Sequence, residues 1–68
     1  MNILINGESK TLPSDKDWSI QQALVHLDLP IKGVALALNQ SVVPSQNWPD
    51  ISLTSNDQID LFTVVAGG

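Results

Sequence analysis

An Asn6-Gly7 pair behind alternating apolar residues, one capped amphipathic helix, and three later extended segments predict an α+β fold. In that fold a mixed sheet packs on a single helix, and a flexible C-terminal Gly-Gly tail follows. Met1, Ile3 and Ile5 alternate with Asn2, Leu4 and Asn6, the period of a half-buried strand. Asn-Gly is the strongest short hairpin signal, because both central residues of a two-residue turn need positive φ. Lys10-Thr11-Leu12 then return as the second strand. Pro13 to Asp17 read as a polar loop. Ser19 and Gln22 form a capping box, with Ile20, Ala23, Leu24 and Leu27 on one helical face and Leu29-Pro30 as the closing signal. A helix this short forms only when packed.

After Gly33, the continuous apolar run Val34-Ala35-Leu36-Ala37-Leu38 predicts a strand with both faces partly covered. Ala35 and Ala37 share one face, where something lies close against the backbone. Asn39-Gln40 turns into Ser41-Val42-Val43, and Pro44 ends that short strand at a sheet edge. Ser45 to Asp50 read as irregular, with Trp48 as a plug over the core. Ile51-Ser52-Leu53 is short and extended, and Ser55-Asn56-Asp57 is a turn in which Asn56 suits positive φ. Gln58 to Val64 is the last strand. One helix and one sheet must bury their apolar faces against each other, since the pattern holds no third layer. The helix forms the crossover after the first hairpin, and the last strand belongs beside the first. This is a β-grasp arrangement over residues 1–64, with 65–68 as the tail.

Composition narrows the function. With 68 residues the chain makes one domain, near the lower limit for a self-sufficient core. It has no Cys, hence no disulfide, thiolate metal site or nucleophilic sulfur of its own. Met1 leads directly into a strand pattern with no basic and apolar leader, and no apolar run approaches the ~20 residues of a spanning helix. A cytoplasmic protein, monomeric when free, is expected. Seven acids against three lysines give a net charge of −4, which argues against nucleic acid and anionic membrane and favours a basic protein surface. His26 is the only histidine, and there is no Arg, Tyr or Cys to build a catalytic group around it. It reads as a solvated or half-buried helix residue. Asp15 and Asp17 read as a charged loop, so no metal site and no enzyme activity are expected.

Two features point to docking and delivery. An unpaired buried carboxylate is costly, so Asp60 faces away from the helix. Ile59 and Leu61 then point inward, while Phe62 and Val64 share the outward face, as does Leu4 on the first strand. An exposed Phe beside a Val and a Leu is a docking patch. The chain then closes on Ala66-Gly67-Gly68. Without a Cβ, Gly67 and Gly68 can thread a slot too narrow for other residues, and the Gly68 carboxylate is the least hindered acyl group a protein can offer.

The segments Ile3-Leu4-Ile5-Asn6-Gly7-Glu8, Val34 to Gln40, Val43-Pro44 with Trp48, and Asp57 to Gly68 resemble the ThiS family of small sulfur carriers of thiamin biosynthesis, a ubiquitin-like β-grasp family. The resemblance spans essentially the whole chain. Ser45 stands where the family often has a basic residue, and Asn56 where it often has Gly; Asn tolerates the same backbone angle. The resemblance implies that ATP, used by a partner adenylating enzyme of ThiF type, converts the Gly68 carboxylate to an acyl-adenylate. Sulfur from a persulfide donor then gives a Gly68 thiocarboxylate, which supplies a thiazole synthase of ThiG type. It implies no cofactor of the chain's own. Two other readings stay open: the related carrier of molybdopterin synthase, and a ubiquitin-like protein modifier.

Overall fold

The strand that comes last in sequence is the middle strand of the sheet. The computed structural model describes residues 1–63. It contains β1 (Asn2–Ile5), β2 (Glu8–Thr11), α1 (Ile20–His26), β3 (Val34–Leu38), β4 (Ser41–Val42), a 3₁₀ helix (Ser45–Asp50) and β5 (Gln58–Thr63). The sheet order is β2-β1-β5-β3-β4. β5 runs parallel to β1, with Ile59 beside Ile5, and antiparallel to β3, with Leu61 beside Leu36. The remaining pairs, β1 with β2 and β3 with β4, are antiparallel hairpins. The β-grasp expectation, with the last strand beside the first, is met.

Both hairpins turn on two residues with positive φ: Asn6 at 50° and Gly7 at 84°, Asn39 at 50° and Gln40 at 73°. Such turns match the right-handed twist of the strands they join. The two asparagines also reach across to β5. The Asn6 Oδ1 accepts from the Leu61 N–H at 2.8 Å, and the Asn39 Oδ1 accepts from the Gln58 N–H at 2.9 Å. The Asn39 amide donates to the Asp57 carboxylate at 3.1 Å. That carboxylate, 9% exposed, also accepts from the backbone N–H and the hydroxyl of Thr54 at 2.8 and 3.0 Å. The Asp57 carbonyl takes the Leu4 N–H at 2.9 Å. The entrance to β5 is therefore held by hydrogen bonds from both hairpins.

The core lies between the sheet and α1. Ile3 and Ile5 from β1, Leu36 from β3 and Ile59 from β5 meet Ile20, Ala23 and Leu24 of α1, with Leu12, Trp18, Trp48 and Leu53 closing the sides. Each buried indole satisfies its N–H on a carbonyl: Trp18 on Pro13 at 2.7 Å, and Trp48 on Val43 at 2.9 Å. Trp48, 2% exposed, is the predicted plug. The capping box is present in both directions, Ser19 Oγ accepting from the Gln22 N–H and Gln22 Oε1 from the Ser19 N–H, each at 3.1 Å. The start of α1 is also tied to the extended segment, by Ile20 N–H to the Ile51 carbonyl at 2.9 Å and Leu53 N–H to the Trp18 carbonyl at 2.8 Å.

Several boundaries differ from the sequence reading. The helix ends at His26, before Leu29-Pro30, because Asp28 adopts φ 58° and closes a Schellman motif. In it the Leu29 N–H bonds the Leu24 carbonyl at 2.9 Å and the Asp28 N–H bonds that of Val25 at 3.1 Å. The second strand begins at Glu8, directly after the turn, and β4 stops at Val42. Residues 45–50, read as irregular, are a 3₁₀ helix, with the Asn47 N–H on the Pro44 carbonyl at 2.9 Å. The last strand is described to Thr63; Val64, the proposed boundary at 64/65 and the tail lie outside the described residues.

The asparagine clamp has a measurable consequence. Asn39→Gly keeps the backbone angle of the turn but strips the clamp and one Asp57 partner. It should lower the unfolding free energy by about 1–3 kcal/mol in urea titration. Asn39→Ala should cost roughly 1 kcal/mol more, because a Cβ is then forced into the left-handed region. Equal stability of Asn39→Gly and the parent chain would show that the clamp contributes nothing.

Candidate functional site: the outer face of the sheet

Among the described residues, α1 covers one face of the sheet and no second helix covers the other. Alternation along β5 decides what that other face carries. Ile59 is 1% exposed in the core, and Leu61 packs partly buried against it. Asp60 and Phe62 therefore point the other way, as the sequence parity requires, and Phe62 is 45% exposed. Pairing extends the face: Ala35 lies opposite Phe62, Ala37 opposite Asp60, and Val42 on β4 opposite Ala37. Ala37 is buried, yet it is not part of the helix-side core; it is enclosed on the outer face between its cross-strand neighbours.

The structure brings some of the expected docking residues together and separates others. Leu4 is outward and half-buried, but it pairs with Gln58, four positions along β5 from Phe62. At the rise of a strand that is about 13 Å, with Asp60 between them. Leu4 and Phe62 share a face without forming one apolar cluster. Val64, Ala66, Gly67 and Gly68 lie outside the described residues. The reading of the sequence missed Val42. At 71% exposed it is the most exposed large apolar side chain described, and it shares the Phe62 face. The signal was available: Val42 stands between Ser41 and a half-buried Val43, so alternation turns it outward.

The helix side carries a different set of groups. His26 is exposed, with its ring edge-on to Trp18 at 4.8 Å, and the Lys16 ammonium sits 4.3 Å from the Trp18 ring centre. These groups line an open depression of about 570 Å³ together with Gln21, Val25 and Pro49. Among the described residues, no three His, Cys, Asp or Glu side chains come together as a metal-binding group. No helix of the described residues is long and apolar enough to cross a membrane.

Among the described residues, one α-helix and a five-stranded mixed sheet with its last strand central define a ubiquitin-like β-grasp domain. Residues 3–68 match the ThiS family, and the chain belongs to that family. Sulfur carrier protein ThiS of Escherichia coli K12 is 37% identical over 68 residues, covering 100% of both chains. An uncharacterized protein, ycf40, of Pyropia yezoensis is 32% identical over 68 residues, or 100% of this chain and 93% of that one. The crystal structure of thiamine biosynthesis protein ThiS from Geobacter metallireducens superposes with a TM-score of 0.86 at 20% identity, covering 100% of both chains. That likeness shows the β-grasp fold, and the family match bears out the resemblance read from the sequence.

The open position of Phe62 sets an expectation for stability. Truncating a buried Phe costs about 3–5 kcal/mol. Phe62→Ala, removing a side chain that keeps nearly half its exposure, should cost about 1 kcal/mol in urea titration. A loss in the buried range would place Phe62 within the fold's own packing instead of on a docking face.

Proposed function

We propose that this chain is the sulfur carrier of thiamin biosynthesis, delivering sulfur from its C-terminal Gly68 for thiazole formation. The observation that carries the reading is the match to the ThiS family through residue 68, together with 37% identity over the full length to a protein named sulfur carrier protein ThiS. The chain is a carrier and not an enzyme, and it works through partner enzymes. An adenylating enzyme of ThiF type docks on the outer face through Phe62, Val64 and Leu4, and holds the ATP. The carrier needs no cofactor of its own.

The chemistry follows from the group at the tail. An α-carboxyl has a pKa of about 3.3–3.7, so at neutral pH it is an anion and a poor electrophile. Its oxygen attacks the α-phosphorus of ATP, pyrophosphate leaves, and Gly68 becomes an acyl-adenylate. The terminal sulfur of a cysteine persulfide then attacks the acyl carbon and AMP leaves. A second thiol attacks the donor cysteine's sulfur and cleaves the sulfur–sulfur bond brought in with the persulfide, forming a disulfide with that cysteine and freeing the Gly68 thiocarboxylate. That nucleophile serves a thiazole synthase of ThiG type. Ala66 and Gly67 give the tail its slenderness, and the β-grasp body provides recognition and reach. The setting is cytoplasmic.

Incubation with the cognate adenylating enzyme, ATP and a persulfide source should replace one oxygen by sulfur, located at Gly68 by C-terminal fragmentation of the intact protein. Appending one residue after Gly68 should abolish the reaction, because no carboxylate then sits where ATP is attacked. Gly67→Val should impair it strongly, since a branched side chain fills a channel sized for glycine. Both changes lie beyond the described residues that form the core cluster, and the unfolding midpoint should stay close to that of the parent chain. Adenylation of both variants at the native rate would sink the carrier reading.

A further inference from the structure

Asp60 is the one charged side chain that the strand register places on the outer face among the described residues. It is half-buried on the central strand, directly across from Ala37 and one pleat from Phe62. Its carboxylate has no hydrogen bond or ion pair among the described residues; the ion pair they contain is Lys10 with Glu8 at 3.3 Å, on the first hairpin. Residues 64–68 carry no cation, so no side chain there can neutralise it. No buried side-chain oxygen or nitrogen is left without a partner, so the Asp60 oxygens remain reachable from solvent.

A partner that covers Phe62 and Val42 would strip the remaining water from this carboxylate. Desolvating an unpaired charge opposes binding, unless the incoming surface supplies the opposite charge. We infer that Asp60 is the charge anchor of the docking face, and that the adenylating enzyme meets it with a guanidinium or ammonium group set in an otherwise apolar contact. The inference rests on the proposed docking of that enzyme on this face. Apolar contacts at Phe62 and Val42 are non-directional and permit several orientations. A single charge pair fixes one of them, and it rejects surfaces that offer an acid or only hydrocarbon at that point.

The test measures affinity of the purified cognate adenylating enzyme for the full chain and its Asp60→Asn, Asp60→Lys and Phe62→Ala variants, by calorimetry at low and high salt. Asp60→Asn keeps the shape and should weaken binding about tenfold at low salt while flattening its salt dependence. Asp60→Lys should weaken it about a hundredfold. Thermal midpoints should match or exceed that of the parent chain, because no internal partner is lost. Parent-like affinity of Asp60→Asn beside a weakened Phe62→Ala would overturn the anchor and leave the docking face standing. Parent-like affinity of both would mean that the enzyme docks elsewhere, and the reading of the face would fall as well. Self-association of Asp60→Asn in sedimentation velocity, with partner affinity unchanged, would reassign Asp60 to keeping two sheets apart and overturn the anchor.

Discussion

The two hairpins of this domain never touch within the sheet; each is joined only to β5, which is made last. Until β5 is seated, β1 and β3 have no common strand partner and the sheet is split into its two hairpins. Seating a strand between two others needs its register fixed on both sides, and a one-residue slip would turn every side chain to the wrong face. Here the register is fixed by two side chains that are themselves fixed by turns. Asn6 and Asn39 hold the same backbone angle, φ 50°, and each offers its Oδ1 to a β5 N–H. Asparagine tolerates that angle and glycine would too, but only asparagine also brings the acceptor. Asp57 completes the arrangement at the entrance, with its carboxylate held by Thr54 and Asn39.

The same constraint sets what the surface looks like. Once Ile59 and Leu61 face the helix, Asp60 and Phe62 have no choice but to face out. The parallel pairing of β1 with β5 is registered only at Leu4 with Gln58 and Ile5 with Ile59, whereas β3 pairs with β5 through Thr63. Beyond Ile59 the strand is therefore laddered to β3 alone, with the Asn6 side chain as the remaining link on the β1 side. Phe62 and Val42 stand over this half of the sheet, and Leu4 over the other. The outward apolar surface is lopsided toward the strand end from which residue 64 continues.

Elements whose residues carry a period or a cap were legible in the sequence. Alternation placed β1 and β5, the Ser19–Gln22 box placed the start of α1, and a lone Trp in a polar stretch placed the plug. What was not legible was information held in a single side chain or a single dihedral. The end of α1 depends on Asp28 taking a left-handed angle usually given to glycine, and nothing in its letter announces that. The 3₁₀ helix has too few residues per turn and too little length to show a period. Asn6 and Asn39 read correctly as turn residues, while their bonds to β5 span 55 and 19 positions and leave no local trace. Of the candidate site, the parity of Asp60 and Phe62 was readable. The 13 Å offset of Leu4 was not, because it follows from the parallel register between strands more than fifty residues apart.

A β-grasp domain with one helix has apolar cover for one sheet face only. Ordinarily an uncovered face is made polar, and on this one Asn2, Ser9, Thr11, Gln58 and Asp60 are, while Leu4, Ala35, Ala37, Val42 and Phe62 are not. The exceptions are concentrated: Phe62 and Val42 are exposed at 45% and 71%, while the alanines between the strands keep the surface low. None of these four side chains belongs to the core cluster, so the fold's stability does not dictate their identity. The inner face answers to packing against Leu24 and Ile20. The outer face is free to answer to something else. In a domain this small, where most other apolar side chains described are committed to the core, Phe62 and Val42 are released from packing and are the ones that the proposed docking can use.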